Sequence, residues 1–206
     1  MRVVAGRAGG QRLRLPRGAP LRPTADRTKE ALFSMVESAL LRGRPEADVG
    51  TPELWAGLRV ADLYAGSGAL GIEALSRGAD SAAFFERDRT ALAAIAENLR
   101  LTGLADRATV VAGDLAQTLG RLAGPVDLVL LDPPYADPGV GQLLSRLAVW
   151  PALADDVVVA LEHGQRFAAP DTLGAIVLQR SRRHGDTVLS LYARGRYDRR
   201  VRPEVV

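Results

Sequence analysis

No cysteine occurs among the 206 residues of the sequence, and only two residues, His163 and His184, are histidines. A chain without thiols forms neither disulfide bonds nor cysteine-based zinc sites. Two histidines are too few for a histidine metal cluster, so we expect no metal site. Lysine is almost absent as well: Lys29 is the only one, and arginine carries nearly all of the positive charge.

Long apolar runs are also missing. Residues 1–7 contain no apolar core of signal-peptide length, and no run approaches the roughly 20 apolar residues of a membrane-spanning helix. The hydrophobic content of 47% and the charged content of 25% are those of a globular protein. We therefore expect a soluble, cytoplasmic protein without a membrane partner, formed by one domain with a small appendage. We also expect a monomer, although the sequence itself does not give the oligomeric state.

Charge is distributed unevenly along the chain. Residues 1–30 hold eight Arg or Lys against two acidic residues, residues 179–202 hold eight Arg against two acidic residues, and residues 31–178 hold 11 basic and 19 acidic residues. Basic charge gathered at both ends suits a polyanion such as RNA or DNA. Solvated terminal arms are the alternative interpretation. The arginines that we assign to RNA binding lie in the N-terminal segment: Arg2, Arg7, Arg12, Arg14, Arg17 and Arg22.

The N-terminal segment has the pattern of a β-hairpin. Two short runs, residues 2–5 and 11–15, flank a pair of glycines that is typical of a turn. We predict that residues 1–22 form an RNA-docking extension in front of a domain spanning residues 23–206. A lone hairpin is marginally stable and this one is expected to bury little apolar surface, so we expect it to be mobile in the free protein.

The remaining sequence alternates between strand and helix patterns. A helix over residues 26–41 and a surface loop over 42–53 precede five apolar runs that predict parallel strands, and the first four strands are each followed by a helix. Two final strands joined by a tight turn predict an antiparallel hairpin. This order indicates an α/β protein with a Rossmann-like, doubly wound, mostly parallel sheet of seven strands. The predicted strands are 58–64, 81–85, 109–112, 126–131, 157–161, 175–180 and 187–192, and the helices among them are 69–77, 89–101, 115–122 and 141–149.

A glycine-rich turn follows the first predicted strand. Gly66, Gly68 and Gly71 match the dinucleotide-binding pattern G-x-G-x-x-G. Glu86 ends the second strand, 20 residues after Gly66, where such folds place a carboxylate for ribose hydroxyls. A nicotinamide enzyme is one interpretation, and a turn that only packs helix on strand is another. Asp62 favours S-adenosylmethionine, because an acid there can face an ammonium group but would repel a diphosphate.

The third and fifth strands also end in polar residues. Asp114 can meet the amino group of adenine or cap the next helix, and the two roles can coexist. Glu162 and His163 end the fifth strand, where His163 is open to a structural or a substrate-facing role. His184 is expected at the surface. Because the carboxyl ends of parallel strands share one edge of the sheet, the strand-end acids are expected where ligands bind.

Asp132-Pro133-Pro134-Tyr135, after the fourth strand, is the most informative segment. Neither proline has an N–H group and each has a fixed φ, so the first carbonyl is aimed rigidly. That carbonyl and the Asp132 carboxylate can accept two hydrogen bonds from one NH2 group, while Tyr135 stacks on the ring that carries it. Two acceptors would free the lone pair of a nucleobase amine for attack on a methyl group. The alternative is a proline-rich turn that caps the strand.

Together these segments resemble the S-adenosylmethionine-dependent amino-methyltransferases. The N-terminal segment is more specific: residues 2–13 and residues 21–33, which read LRPTADRTKEALF, resemble the bacterial small-subunit ribosomal RNA guanine-N2 methyltransferase D family. The resemblance extends over nearly the whole chain. The 42–53 loop, which is longer than expected, is the departure.

This resemblance implies methylation of the exocyclic N2 amine of one guanine in 16S ribosomal RNA. S-adenosylmethionine would be the methyl donor, and the small ribosomal subunit or its assembly intermediate would be the substrate. The residues that it places at the target guanine are Asp132, Pro133, Pro134 and Tyr135. The cofactor-binding residues are Asp62, Tyr64, Gly66, Gly68, Glu86, Arg87, Asp114 and Leu115, with Thr24 and Arg27 closing the pocket.

Two other functions share some of these features. A DNA adenine methyltransferase carries the same tetrapeptide, but it usually needs a separate target-recognition region, and no insertion in this chain is large enough for one. A non-catalytic ribosome-assembly or RNA-binding module is expected to have damaged cofactor residues, whereas the strand-end acids and the glycines are all present.

Overall fold

The fold is built around one mixed sheet of eight strands. The structure is a computed structural model that describes residues 1–16, 25–122, 124–135 and 137–194. The strands are β1 (Arg59–Leu63), β2 (Ser81–Glu86), β3 (Ala108–Ala112), β4 (Val126–Leu131), β5 (Leu153–Gly164), β6 (Thr172–Leu173), β7 (Ile176–His184) and β8 (Thr187–Arg194). The helices are α1 (Ala25–Leu40), α2 (Pro52–Trp55), α3 (Ala69–Arg77), α4 (Arg89–Thr102), α5 (Leu115–Thr118) and α6 (Val140–Leu147). Within these described ranges, no helix is long and apolar enough to cross a membrane.

The order of the strands determines where a ligand can bind. It is β3-β2-β1-β4-β5-β8-β7-β6, with β1 to β5 parallel to one another and β8, β7 and β6 each antiparallel to the preceding strand in that order. The chain moves outward from β1 in one direction and from β4 in the other, which leaves a crevice at the carboxyl ends of these two strands. The predicted Rossmann-like, doubly wound α/β fold is confirmed.

Apolar side chains cover both faces of the sheet. Because successive side chains of a strand point to opposite faces, Val60 and Leu128 pack on the side of α1, α3 and α4, whereas Leu63 and Val129 pack on the side of α6. Burial on both faces explains why the parallel strands read as continuous apolar runs in the sequence.

The structure departs from the prediction near the edge of the sheet and in one helix. An eighth strand, β6, has only two residues, which is too short to leave a recognisable pattern. Strand β5 begins four residues earlier than predicted, at Leu153, because the exposed acids Asp155 and Asp156 interrupt its apolar run. The predicted helix over 115–122 is a single turn, α5, followed by a 3-10 turn.

The segment predicted as a surface loop, residues 42–53, leads directly into α2. Leu54 and Trp55 of this short helix are fully buried. The Trp55 ring lies 5.6 Å from the ring of Phe33, and its Nε1 donates a hydrogen bond to Glu37 at 3.1 Å. The end of the loop is therefore fixed against α1.

The N-terminal hairpin packs against α3 and α4. Val3 and Leu13 are buried in the apolar layer of that face. The amide of Arg14 donates to Asn98 Oδ1 at 2.7 Å, and Asn98 Nδ2 donates to the Arg14 carbonyl at 2.9 Å. A Cβ on Gly6 would stand 2.0 Å from a carbonyl oxygen of α3. The expectation that this hairpin buries little apolar surface, on which its predicted mobility depended, is wrong.

A buried carboxylate on α3, that of Glu73, attaches the hairpin to the domain. It accepts hydrogen bonds from the amides of Val4 and Ala5 at 2.7 and 2.9 Å. It also pairs with Nζ of Lys29 and with Nε of Arg77, both at 3.0 Å. All three charged side chains are less than a tenth exposed, so each depends on these partners to compensate its lost hydration.

We expect Glu73→Ala to lower the free energy of unfolding by about 3–5 kcal/mol, because the buried charge of Lys29 would lose its carboxylate partner and Arg77 would keep only its pair with Glu37. Urea denaturation followed by circular dichroism measures the change. Glu97→Ala is the matched control, since Glu97 pairs with Arg100 on the exposed surface of α4 and its loss should leave the transition unmoved. Equal effects of the two substitutions would contradict the role of Glu73.

Candidate active site

A cavity of about 740 Å³ lies at the carboxyl ends of the parallel strands. It occupies the position at which ligands bind in doubly wound sheets, beside the point where the strand order reverses. Strands β1, β2, β4 and β5 each bring an acidic residue to its wall, and the loop after β3 brings another. These residues are Asp62, Glu86, Asp114, Asp132 and Glu162.

The glycine turn between β1 and α3 forms one part of this wall. Gly66 lines the cavity and has a φ of 55°. Gly68 has a φ of 78°, and a Cβ there would stand 3.3 Å from Phe84, Ile72 and Ile95. Among the described residues the wall includes Gly66, whereas Gly68 packs against these three side chains; the cofactor contact of Gly68 stays a prediction.

Glu86 is held in one orientation by backbone amides. Its Oε2 accepts from the amide of Gly66 at 2.8 Å, and its Oε1 accepts from the amides of Arg87 and Asp88 at 2.7 and 2.8 Å. A carboxylate offers about four acceptor positions. The three amides use three of these positions. Glu86 can therefore still accept a hydrogen bond from a hydroxyl group in the cavity, and its orientation is already fixed.

Asp62 is the most buried acid of the wall. It is 1% exposed, and its Oδ2 accepts a hydrogen bond from the amide of Gly71 at 2.8 Å. Burial raises the pKa of Asp62 well above its usual range, and the nearby carboxylates of Asp132 and Glu86 raise it further, against the opposite effect of the Gly71 bond. A cation bound in the cavity next to Asp62 would favour the ionised form of this carboxyl group, and the two opposite charges would stabilise each other.

Tyr64 lies where β1 turns into the glycine loop. Its φ of 62° is the only positive value at a non-glycine residue in the described ranges, and such backbone strain is concentrated at functional sites. The pKa of Tyr64 is raised to about 12. Burial is the largest cause and a hydrogen bond to Asp137 is the second, so the hydroxyl keeps its proton at neutral pH. Both residues line the cavity.

The loop after β3 carries Asp114 and Leu115. Asp114 caps α5, since its Oδ1 accepts from the amide of Ala116 at 2.8 Å, and the predicted capping role is thereby confirmed. Its Oδ2 lies 3.5 Å from Nη1 of Arg87 in an exposed ion pair. Leu115 is half-buried on the cavity wall. An apolar side chain beside an acid suits a ring that carries an amino group.

The segment after β4 forms the wall next to β5. Asp132, Pro133 and Pro134 line the cavity, and Pro133 is buried. The chain then turns, because the amide of Asp137 donates to the carbonyl of Pro134 at 2.9 Å. Tyr135 is 41% exposed and stands beside this wall.

The ring of Tyr135 is fixed by two contacts with the end of β5 and one with β8. A Cβ on Gly164 would stand 3.2 Å from the ring. The Tyr135 hydroxyl donates to Oε1 of Glu162 at 3.3 Å and shares a short hydrogen bond with Oγ1 of Thr187. Glu162 and Thr187 also line the cavity. The sequence gives no signal for this cluster, because β8 meets β5 only in the folded sheet.

The N-terminal part of the chain completes the wall. Met1, Leu15 and Pro16 of the hairpin line the cavity together with Thr28 and Lys29 of α1. Sequence reasoning missed these five residues. The one available signal was Lys29, the single lysine of an arginine-rich chain.

The resemblance predicts that two neighbours in the same motif, Thr24 and Arg27, close the cofactor pocket. Thr24 lies outside the described residues. Arg27 is exposed on α1 and its closing role stays a prediction, while Thr28 and Lys29 belong to the described part of the wall. A helix turns by about 100° per residue, so adjacent positions of α1 face different sides.

The arginines assigned to RNA and the two histidines have clear positions. His163 is buried, with Nε2 at 2.9 Å from Oγ of Ser190, which favours the structural role. His184 is half-buried beside the β7–β8 turn rather than fully at the surface. Arg17 and Arg22 lie outside the described residues. The remaining four arginines are exposed on the hairpin: Arg2, Arg7, Arg12 and Arg14.

Comparison with known proteins places the chain in a family. A family model described as "Conserved hypothetical protein 95" matches residues 1–193, from the hairpin to the end of the sheet. The chain belongs to this family. The match includes both N-terminal stretches, residues 2–13 and 21–33, that carried the resemblance seen in the sequence.

Individual relatives agree with this assignment. The Bacillus subtilis (strain 168) protein named "Putative rRNA methyltransferase YlbH" is 33% identical over 195 residues, which cover 93% of this chain and 98% of the relative. The Escherichia coli (strain K12) protein named "Ribosomal RNA small subunit methyltransferase D" is 29% identical over 194 residues, covering 94% and 90%. A solved structure of a hypothetical protein from Thermus thermophilus has a TM-score of 0.72 at 27% identity, covering 93% of this chain and 98% of that one. The resemblance to the methyltransferase D family is confirmed.

The raised pKa of Asp62 has a consequence for stability. Between the usual aspartate pKa of about 3.9 and the raised value, the folded protein keeps a proton that the unfolded chain has lost. The contribution of this group to stability therefore falls as the pH rises through that window.

We expect Asp62→Asn, which cannot ionise, to gain stability relative to wild type as the pH rises through the same window. Urea denaturation of both proteins at a series of pH values measures the difference in unfolding free energy, and Asp155→Asn serves as a control at an exposed acid. A difference that stays constant from about pH 4 to about pH 8 would argue against a raised pKa.

Proposed function

We propose that this protein transfers a methyl group from S-adenosylmethionine to the exocyclic N2 amine of a guanine in 16S ribosomal RNA of the small subunit. The observation that carries the proposal is that Asp132, Pro133 and Pro134 share one cavity wall with Asp62 and Glu86. Acceptors suited to an amino group thus face the same space as acids suited to an ammonium group and a ribose. The names of the two relatives, which specify ribosomal RNA methylation, support the substrate class.

The residues of the wall fit S-adenosylmethionine. Asp62, beside which a cation is favoured, would hold the ammonium group, and Glu86, fixed by three amides, would accept from the ribose hydroxyls. Asp114, Leu115 and Tyr64 would surround the adenine. When bound, the cofactor supplies a methyl group that is already activated on a sulfonium. A nicotinamide dinucleotide fits less well, because it has no ammonium group to place beside Asp62.

The target amine would be positioned by the segment after β4. Asp132 and the carbonyl of Pro133 would each accept one hydrogen of the amine, which draws the nitrogen lone pair out of conjugation with the ring. Moving a base out of its stack costs a few kcal/mol, and stacking on Tyr135 would return roughly 1–3 kcal/mol. The contacts of the Tyr135 hydroxyl with Glu162 and Thr187 hold the ring ready for this.

The N-terminal extension, residues 1–22, is the proposed RNA-docking element of the chain, and residues 23–206 form the catalytic domain. Met1 and Leu15 line the cavity, so the exposed arginines next to them in the chain, Arg2 and Arg14, stand close to it. Phosphate contacts position a nucleic acid, whereas contacts to base edges specify it. The hairpin would therefore place the RNA, and the wall of the cavity would select the base.

The proposal is tested by incubating the protein with methyl-labelled S-adenosylmethionine and, separately, small ribosomal subunits, free 16S rRNA, 23S rRNA and DNA, followed by nucleoside analysis. We expect label in N2-methylguanosine of 16S rRNA. Label in N6-methyladenine of DNA would instead identify a DNA adenine methyltransferase. Binding to small subunits without transfer to any substrate would identify a non-catalytic assembly factor.

We expect Asp132→Ala to lower turnover more than tenfold, equivalent to at least ~1.4 kcal/mol of barrier stabilisation, with affinity for S-adenosylmethionine near that of wild type. Single-turnover methylation and calorimetric titration measure the two quantities. Asp155→Ala, near the opposite end of β5, is the matched control and should change neither. Retention of more than about a tenth of wild-type turnover would mean that polarisation by Asp132 is not the mechanism.

Replacing Arg7, Arg12 and Arg14 by glutamine should weaken binding to small subunits and reduce the salt slope by the equivalent of ~3 phosphate contacts, with cofactor affinity unchanged. Binding across a salt series measures both effects. The matched control has the same charge change near the strand amino ends, at Arg59, Arg100 and Arg121, which are exposed. Equal slopes and affinities for wild type and the hairpin variant would assign RNA docking to the arginine-rich β7–β8 hairpin instead.

A further inference from the structure

Asp132 and Glu162 stand side by side at the carboxyl edge of the sheet. Strands β4 and β5 are parallel neighbours, and Leu131 lies opposite Leu161. Asp132 and Glu162 are the next residues of the two strands. Because paired strands are about 4.8 Å apart, both carboxylates reach the same part of the cavity wall, which they both line.

The position of Glu162 is determined from several directions. Its backbone pairs with Leu189 of β8, and its Oε1 accepts from the hydroxyl of Tyr135 at 3.3 Å. That hydroxyl is bonded to Thr187 at the same time. When ionised, a carboxylate accepts hydrogen bonds and donates none.

Bases that carry an exocyclic amine differ in the ring nitrogens beside it. In guanine, the C2 amine lies between N1, which carries a hydrogen and is a donor, and N3, which is an acceptor, and the proposal concerns the N1 side. In adenine, N1 next to the C6 amine is an acceptor, and in cytosine N3 next to the C4 amine is an acceptor. A carboxylate adjacent to the amine-binding residues therefore complements guanine, while its lone pairs oppose those of adenine and cytosine.

We propose that Glu162 accepts a hydrogen bond from N1–H of the target base and is the residue that restricts methyl transfer to guanine. This inference rests on the proposed function and deepens it. Asp132 and the Pro133 carbonyl hold the amine, which several bases offer, and Glu162 reads the ring nitrogen, which distinguishes them. Glu162 on β5 would thus select the base, whereas the segment after β4, with Asp132 and Pro133, would position the amine for methyl transfer.

2-Aminopurine separates recognition of the amine from recognition of N1, because it keeps the C2 amine but its N1 is an acceptor. Small subunits assembled on 16S rRNA with guanine or 2-aminopurine at the methylated position are compared by single-turnover kcat/KM. We expect wild type to prefer guanine by on the order of 10- to 100-fold. Glu162→Gln should bring this preference close to unity, since a carboxamide can accept from N1–H or donate to an unprotonated N1. The missing O6 of 2-aminopurine affects both proteins alike, so the change in preference isolates Glu162.

Two further variants separate reading of the base from positioning of Tyr135. Tyr135→Phe removes the hydroxyl that Glu162 contacts but leaves the carboxylate, so it should slow both substrates and keep the preference for guanine. Glu162→Asp keeps an acceptor, withdrawn by one methylene, and should also keep the preference at a lower rate. Thermal unfolding midpoints verify that each variant is folded.

The same preference in wild type and in Glu162→Gln would overturn the inference, and so would a wild type that shows no preference at all. In both cases methylation of guanine by wild type would leave the proposed function intact. Absence of guanine methylation by wild type would overturn the proposed function together with this inference.

Discussion

The N-terminal hairpin, α1 and α3 meet at one buried carboxylate, and the shape of the cavity depends on that meeting. Glu73 bonds to two amides of the hairpin and to Lys29 of α1. Its own helix starts at the glycine turn of the cavity wall, and Lys29 lines the cavity together with its neighbour Thr28. The ion pair therefore fixes the hairpin and α1 relative to the strand ends, at a position where loss of either charge is unfavourable.

Backbone amides make an acidic wall possible. Several carboxylates at one edge repel one another, and the amides oppose this by hydrogen bonding to the ionised forms. Asp62 accepts from Gly71, Glu86 accepts from three amides of two loops, and Asp114 accepts from Ala116. The amides also orient these side chains, so the wall is preorganised for ligands rich in donors. At Asp62 burial prevails over its one amide, which is why its pKa stays raised.

The parts that the sequence predicted are those set by neighbouring residues. Apolar runs defined the central strands, and strand ends followed by glycine or proline marked the acids of the edge. The parts that it missed depend on distant partners: the hairpin is held by Glu73 and Asn98, which are 68 to 84 residues away in the chain. Tyr135 likewise meets Thr187 only through the pairing of β5 with β8. Gly66 and Gly68 belong to one motif, yet only the fold decides which of them faces the cavity.

On the proposed function, a basic hairpin beside an acidic cavity would sort the groups of a nucleic acid by charge. Phosphates would be attracted to exposed arginines such as Arg7 and Arg12 and repelled by the wall that contains Glu86, Asp132 and Glu162. A base could enter the cavity only after it leaves its stack, which costs a few kcal/mol. The acids of the wall would then favour a base edge that is rich in hydrogen-bond donors. On the proposed function, phosphate contacts on the hairpin contribute the affinity and the acids of the sheet edge contribute the choice of base. Because the two sites carry opposite charge, the same electrostatic field would direct the RNA backbone to the hairpin and the base to the cavity.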